Sequence, residues 1–179
     1  VDADQLRTIA GGYARLWARV AESLRDVRLG VEVQGVQATD EGVLVQTSGG
    51  EVAFDRLILA VPPHAVIGLR HLSADHRAVF ERVRHLDYYT TICTVRGLPR
   101  RGFYFVRQNI DDPTRAGHVL CFHHRYDDTD VVLCYSSGAA GLDANDIQRL
   151  LLQDVAGLGG TLDQIHGCRR WRYMPHAST

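Results

Sequence analysis

The residue types able to carry chemistry are scattered along this chain, and their spacing argues against most constellations. Of the nine histidines, His118, His123 and His124 fall in one strand-like run. Side chains on a strand alternate, so His123 and His124 point to opposite faces. His118 and His124 share a face, but at ~3.3 Å per residue they stand ~20 Å apart. One metal ion cannot take both from a straight strand, so structural or solvent-facing roles are expected and no metal site is assigned. A histidine-metal hydrolase would need ligands from elsewhere in the chain. Ser136-Ser137-Gly138 lacks a positioned base and reads as a strand end. No GxSxG elbow, HExxH helix, GxGxxG turn after a strand or GxxxxGK[ST] loop occurs. All 20 basic residues are arginine, which excludes Schiff-base and lysine-base chemistry within the chain.

Two other residue classes have two readings each. Cys93, Cys121, Cys134 and Cys168 form no CxxC pair. Three sit in apolar strand-like runs, where cysteine behaves as a small hydrophobe. Trp171, Tyr173 and Met174 have the look of a ligand-facing edge, but a period of two serves core packing equally well. The same choice stays open for Tyr88, Tyr89, Tyr104 and Tyr135.

The elements that would position these groups follow from periodicity. Apolar spacing of three and four marks an amphipathic helix over about 12–25 behind Gly11-Gly12. Val27-Arg28-Leu29 is a short extended run. Val31, Val33, Val36, then Val43, Val45, then Val52 and Phe54 alternate with polar residues, with turns at Asp40-Glu41-Gly42 and Gly49-Gly50, and predict an antiparallel meander. Leu57–Val61 is continuously apolar, the pattern of a strand buried on both faces, and Pro62-Pro63 ends it. A short helix over 64–69 follows. Ser73 is placed to cap a helix over 74–84 that buries Val79, Phe80 and Val83. Strands are expected at 88–96, 102–107, 117–125, 130–137 and 167–174, with an Asp143-capped helix over 144–157 stopped at Gly159-Gly160. The fold class is therefore α+β: a mixed, mostly antiparallel sheet flanked by helices, with a small β-meander lobe. The change in character divides the chain into 1–69 and 70–179.

Composition narrows the partners. Among 179 residues 45% are hydrophobic, and 20 basic against 21 acidic residues leave a net charge of -1. That balance gives no reason for a nucleic-acid or membrane-surface partner. No apolar run approaches the ~20 residues of a membrane span, and no signal peptide is seen, so a cytoplasmic protein is expected. The chain begins at Val1 and stops at Thr179 just after a strand-like run, which reads as a piece of something longer.

The ordered set of Gly11-Gly12-Tyr13-Ala14-Arg15-Leu16, its helix, Val27-Arg28-Leu29, Val33, Val36, the meander and Asp55–Pro63 resembles the middle of the flavin-containing amine oxidoreductase family. The resemblance implies an FAD-dependent parent enzyme that moves hydride from a carbon beside an amine to the flavin. It implies that Val33 passes the adenine end of FAD through backbone groups, which fits a side chain that cannot hydrogen-bond, and that Ala60, Val61 and Pro62 run close to the flavin. Residues 1–69 would be part of the FAD domain. Residues 70–179 would build the substrate domain, with Tyr89, Thr91, Trp171 and Tyr173 as candidate pocket residues and a small molecule as substrate. No catalytic residue is assigned. Two departures stand out: the N-terminal dinucleotide fingerprint and C-terminal Gly-Asp segment are not in the chain, and where many members carry a lysine near the flavin it has Tyr89-Thr90-Thr91-Ile92-Cys93. The chain alone is therefore expected not to hold FAD, to need the remaining FAD-domain segments as its partner, and to self-associate through an apolar docking surface. The competing expectation is a binding or regulatory module that kept the fold without the chemistry.

Overall fold

Alternating sequence makes the first sheet. In the computed structural model, which describes residues 9–67 and 69–177, β1 (Val33–Thr39), β2 (Gly42–Thr47) and β3 (Gly50–Phe54) pair in that order as an antiparallel meander. Val45 at the centre of the middle strand is buried. Glycine is required at position 42, because a Cβ there would stand 2.3 Å from the Phe54 carbonyl oxygen. Beyond α2 (Pro63–Ile67), Arg70 joins the outer edge of β1: its N–H donates to Gln34 O, and its carbonyl accepts from Val36 N, both at 3.0 Å.

Residue contacts group the described chain into two units, residues 9–84 with 176 and 177, and residues 85–175. The helix α3 (Ala74–Glu81), which follows the sequence division at 69/70, groups with the first unit.

Four expectations for the first unit need correction. Leu57–Val61 is no strand: it runs extended, pairs with nothing among the described residues, and Ile58 is 90% exposed. A continuously apolar run becomes a buried strand only when neighbours cover both faces and edges, and the described residues supply none. The run at Val27–Leu29 is likewise an unpaired connection. The helix α1 (Gly12–Glu22) forms, yet buries no residue, and Tyr13 and Trp17 stand exposed. In α3, Ser73 caps as expected, accepting from His76 N at 3.3 Å, but Val79 is exposed and Phe80 only half-buried.

The second unit is a five-stranded sheet in the order β5-β6-β7-β4-β8: β4 (Val83–Arg96), β5 (Gly102–Phe105), β6 (Val119–His124), β7 (Val131–Ser137) and β8 (Thr161–Ala177). Between β5 and β6 the chain forms a one-turn helix, α4 (Arg107–Ile110), and a 3-10 turn (Pro113–Arg115) where the sequence reads as a loop. The helix α5 (Ala144–Gly157) begins at a capping box, Asp143 accepting from Asn145 N and Asp146 N while Asp146 accepts from Asp143 N. Its Leu151 and Val155 pack with Cys93, Val95, Val119, Phe122, Val132 and Cys134 in the core. Each such side chain contributes roughly 1.5–3 kcal/mol when fully buried. Gly117, with φ 91°, lets the chain enter β6 beneath α5, since a Cβ there would lie 2.7 Å from Leu150 Cδ1. No described helix is long and apolar enough to cross a membrane.

Candidate functional site

The period of two separates the faces of the second sheet. On β4, Tyr89, Thr91, Cys93 and Val95 are buried toward α5, while Ile92 is exposed and Tyr88, Thr90 and Thr94 are half-buried on the other face. Strand pairing carries that alternation across: Thr90 faces Tyr135, Cys121 faces Tyr135 and Phe105, and Phe103 faces His123. The face away from α5 is thus a run of rings in contact. Phe105 touches Phe103 at 5.2 Å between centroids, Phe103 touches Tyr135 at 5.7 Å, Tyr135 touches Tyr88 at 5.9 Å and Tyr88 touches Tyr173 at 5.5 Å. Trp171 joins them by donating from Nε1 to Thr90 Oγ1 at 2.8 Å, with the Arg169 guanidinium 4.2 Å above its ring.

Four candidate pocket residues therefore separate in two pairs. Trp171 and Tyr173 come together on the open face. Tyr89 and Thr91 do not: the Tyr89 hydroxyl donates to Leu142 O at 3.1 Å, Thr91 Oγ1 donates to Cys168 Sγ at 3.3 Å, and both are core residues. Their neighbours Tyr88 and Thr90 take the open positions. The signal that could have found them is the same alternation, read with the knowledge that α5 covers the odd-numbered side.

At one end of this face a pocket of about 400 Å³ opens between the sheet and the 107–117 segment. Phe105, Ile110, Leu120 and Met174 give it apolar walls, and Cys121 lies buried among them. Burial, with Cys121 and Tyr135 nearby, pushes the Tyr88 phenol well above its ordinary value. Burial pushes the Cys121 thiol up to about 11, even with the Tyr88 hydroxyl acting in the opposite direction. On the same face burial, then Arg125 and His124, lower the pKa of His123. Tyr88, Cys121 and His123 are thus each biased toward the neutral form.

The segment forming one wall is anchored from α5. Asp154, buried, accepts from Val119 N at 2.7 Å and from His118 Nδ1 at 2.8 Å, and pairs with Arg115 at 3.4 Å. Arg115 Nε donates to Asn109 Oδ1 at 2.5 Å, and Asn109 Nδ2 donates to Val119 O at 2.8 Å. His118 precedes β6 rather than lying in it. His124 is buried, with ring nitrogens 3.1 Å from Pro99 O and 2.8 Å from Thr129 O. These two histidines are thus committed to the protein itself. Among the described residues no group of three or more His, Cys, Asp or Glu side chains could hold a metal ion. All four cysteines are free, with Cys93 and Cys134 Sγ atoms 3.9 Å apart in the core.

In the first unit, Val33 opens β1, partly exposed, on a concavity of about 520 Å³ shared with Val31, Val45, Val52, Phe54 and Leu57. Ala60, Val61 and Pro62 are exposed on the extended segment that follows. The Asp26–Arg28 ion pair and Thr47 also line the hollow. Among the described residues no glycine-rich turn joins a strand to a helix to receive phosphates.

The chain's fold recurs in solved structures. It is similar to a fatty acid isomerase from P. acnes that produces CLA, with a TM-score of 0.84 and 22% identity, covering 94% of this chain and 41% of that one. It is similar to a cyclohexylamine oxidase from Brevibacterium oxydans IH-35A, with a TM-score of 0.61 and 16% identity over 89% and 38%. A variant of putrescine oxidase with redesigned cofactor binding gives a TM-score of 0.59 and 20% identity over 82% and 35%. At these identities the likeness shows the fold alone, and the chain spans about two fifths or less of each structure's length. No curated protein matches it. The model of the flavin containing amine oxidoreductase family matches residues 2–179, so the chain belongs to that family.

Proposed function

We propose that this chain is the substrate-facing part of an FAD-dependent oxidoreductase acting on a C–N bond, with residues 1–69 serving the cofactor domain and 70–179 the substrate. The observation that carries the reading is the open aromatic face of the second sheet, in a chain whose family match runs from residue 2 to 179. When bound, FAD would supply the hydride acceptor. The chain's own residues do the rest. Tyr88, Tyr135, Tyr173 and Trp171 offer flat apolar faces that orient a substrate and keep water from it. Tyr88 keeps its proton and presents it at Oη as a donor. With no lysine in the chain, no ammonium stands on this face; its cation is the Arg169 guanidinium, stacked on Trp171. Val33, through main-chain groups, and Ala60, Val61 and Pro62 form the cofactor side. Segments of the parent beyond this chain would complete the flavin site. Four free thiols suit a reducing compartment such as the cytoplasm.

The test uses the full-length protein. One FAD per chain is expected, bleaching anaerobically with a reactive amine. Val33→Pro, which removes one N–H at a strand start where proline is tolerated, should weaken FAD retention. A colourless protein that takes up no FAD would sink the reading. A yellow protein that no amine reduces would favour the non-catalytic module.

A further inference from the structure

The pocket beside β6 says more about what enters it than the aromatic face does. We infer that it receives an uncharged, apolar arm of the substrate, so that the enzyme handles amines with a hydrocarbon arm rather than diamines. This rests on the oxidoreductase reading above and names the substrate class for the same site.

Every polar group on the lining is already engaged or neutral. Asn109 uses its amide nitrogen on Val119 O and its amide oxygen on Arg115. Asp112 is the lone carboxylate on the lining. It lies exposed, and its Oδ1 accepts from Thr114 N at 2.9 Å and from Thr114 Oγ1 at 2.6 Å. The Thr114 bonds hold its pKa down, so it keeps its charge, but at the exposed rim solvent and salt screen it. Deeper in, burial keeps Cys121 and Tyr88 protonated. Among the described residues no cationic side chain lines the pocket. An ammonium or carboxylate carried inside would lose its water and gain no counter-ion, whereas an alkyl or aryl group gains from every surface it covers. A volume of about 400 Å³ lies within the range of small-molecule sites.

The experiment compares hexylamine with 1,6-diaminohexane on the full-length FAD-loaded protein, by the concentration dependence of anaerobic flavin reduction. The two differ only in the charge on the far end. Hexylamine should half-saturate at about a tenfold lower concentration or better, the discrimination expected when a charge has no partner. Asp112→Asn should leave that ratio where it is. Ser137→Asp places a carboxylate on the lining, opposite Tyr88 across the strands, and should narrow or reverse the ratio, while Ser137→Asn should not. Equal half-saturation in the unaltered protein, or a ratio that moves with Asp112→Asn, would overturn the inference. The neutral fluorophore N-phenyl-1-naphthylamine separates this outcome from failure of the function itself. Saturable binding that Ala116→Phe abolishes upholds an apolar pocket even if no amine reduces the flavin, and absence of saturable binding counts against it. Should Ser137→Asp fail to fold by circular dichroism, Asp112→Asn and the fluorophore still decide.

Discussion

Replacing Asp154 by alanine should loosen the second unit from one side. The carboxylate is 4% exposed and holds the start of β6, the 3-10 turn and α5 together through Val119 N, His118 and Arg115. Alanine leaves a buried N–H without an acceptor, at about 1–3 kcal/mol. It also strips the largely buried His118 ring of its hydrogen-bond acceptor, at a similar cost of about 1–3 kcal/mol, and takes the anion from a partly exposed guanidinium. The guanidinium contributes little of this, because solvent reaches it. A total near 4 kcal/mol is expected, against about half of that for Asp154→Asn, which retains one carbonyl acceptor for Val119 N. The assay is urea unfolding followed by Trp171 fluorescence in a Trp17→Phe background, where Trp171 is the sole tryptophan and lies on β8 of this unit. With a slope of about 1.5–2 kcal/mol per molar, the midpoint should fall by about 2 M. A loss below about 1 kcal/mol, or an alanine variant no worse than the asparagine one, would show that the network does not carry the wall.

Two further outcomes follow. The folded-state pKa of Cys121 stands near 11, above its ordinary 9.0, so the folded chain holds this proton more tightly than the unfolded one. The stabilisation is complete below pH 9, on the order of 2 kcal/mol, and is lost as pH rises through 11. Cys121→Ala should flatten stability across pH 9–11, and an unchanged slope would refute the assignment. The exposed Ile58, Leu59 and Trp17 should also make the isolated 179-residue chain self-associate and purify colourless. Sedimentation should show Ile58→Asp with Trp17→Glu shifting it toward monomer, and a monomeric parent at high concentration would count against it.

What the sequence disclosed divides by the range of the forces involved. The α5 boundaries and its Asp143 cap were legible because capping and 3.6-residue periodicity are local. The meander was legible because short turns fix which strands meet. Leu57–Val61 misled because an apolar run reports what a segment would bury, and burial depends on chain that stands far from it. Tyr89 and Thr91 were chosen one position from the open residues. Alternation was visible along β4, but which parity faced outward was set when α5 docked on the opposite side. The α4 and 3-10 segment was hidden behind the turn signal of Asp111-Asp112-Pro113. Asp112, Pro113 and Thr114 do spell a capped turn with proline at its first position.

The alternation on β4 has a practical consequence for anyone wishing to redirect this protein. Along that strand, positions 89, 91, 93 and 95 answer to folding, whereas 88, 90, 92 and 94 answer to whatever lies against the sheet. A combinatorial library that randomised the tract evenly would squander half its diversity on variants that never accumulate. One confined to the even positions would sample new specificities on a scaffold left intact.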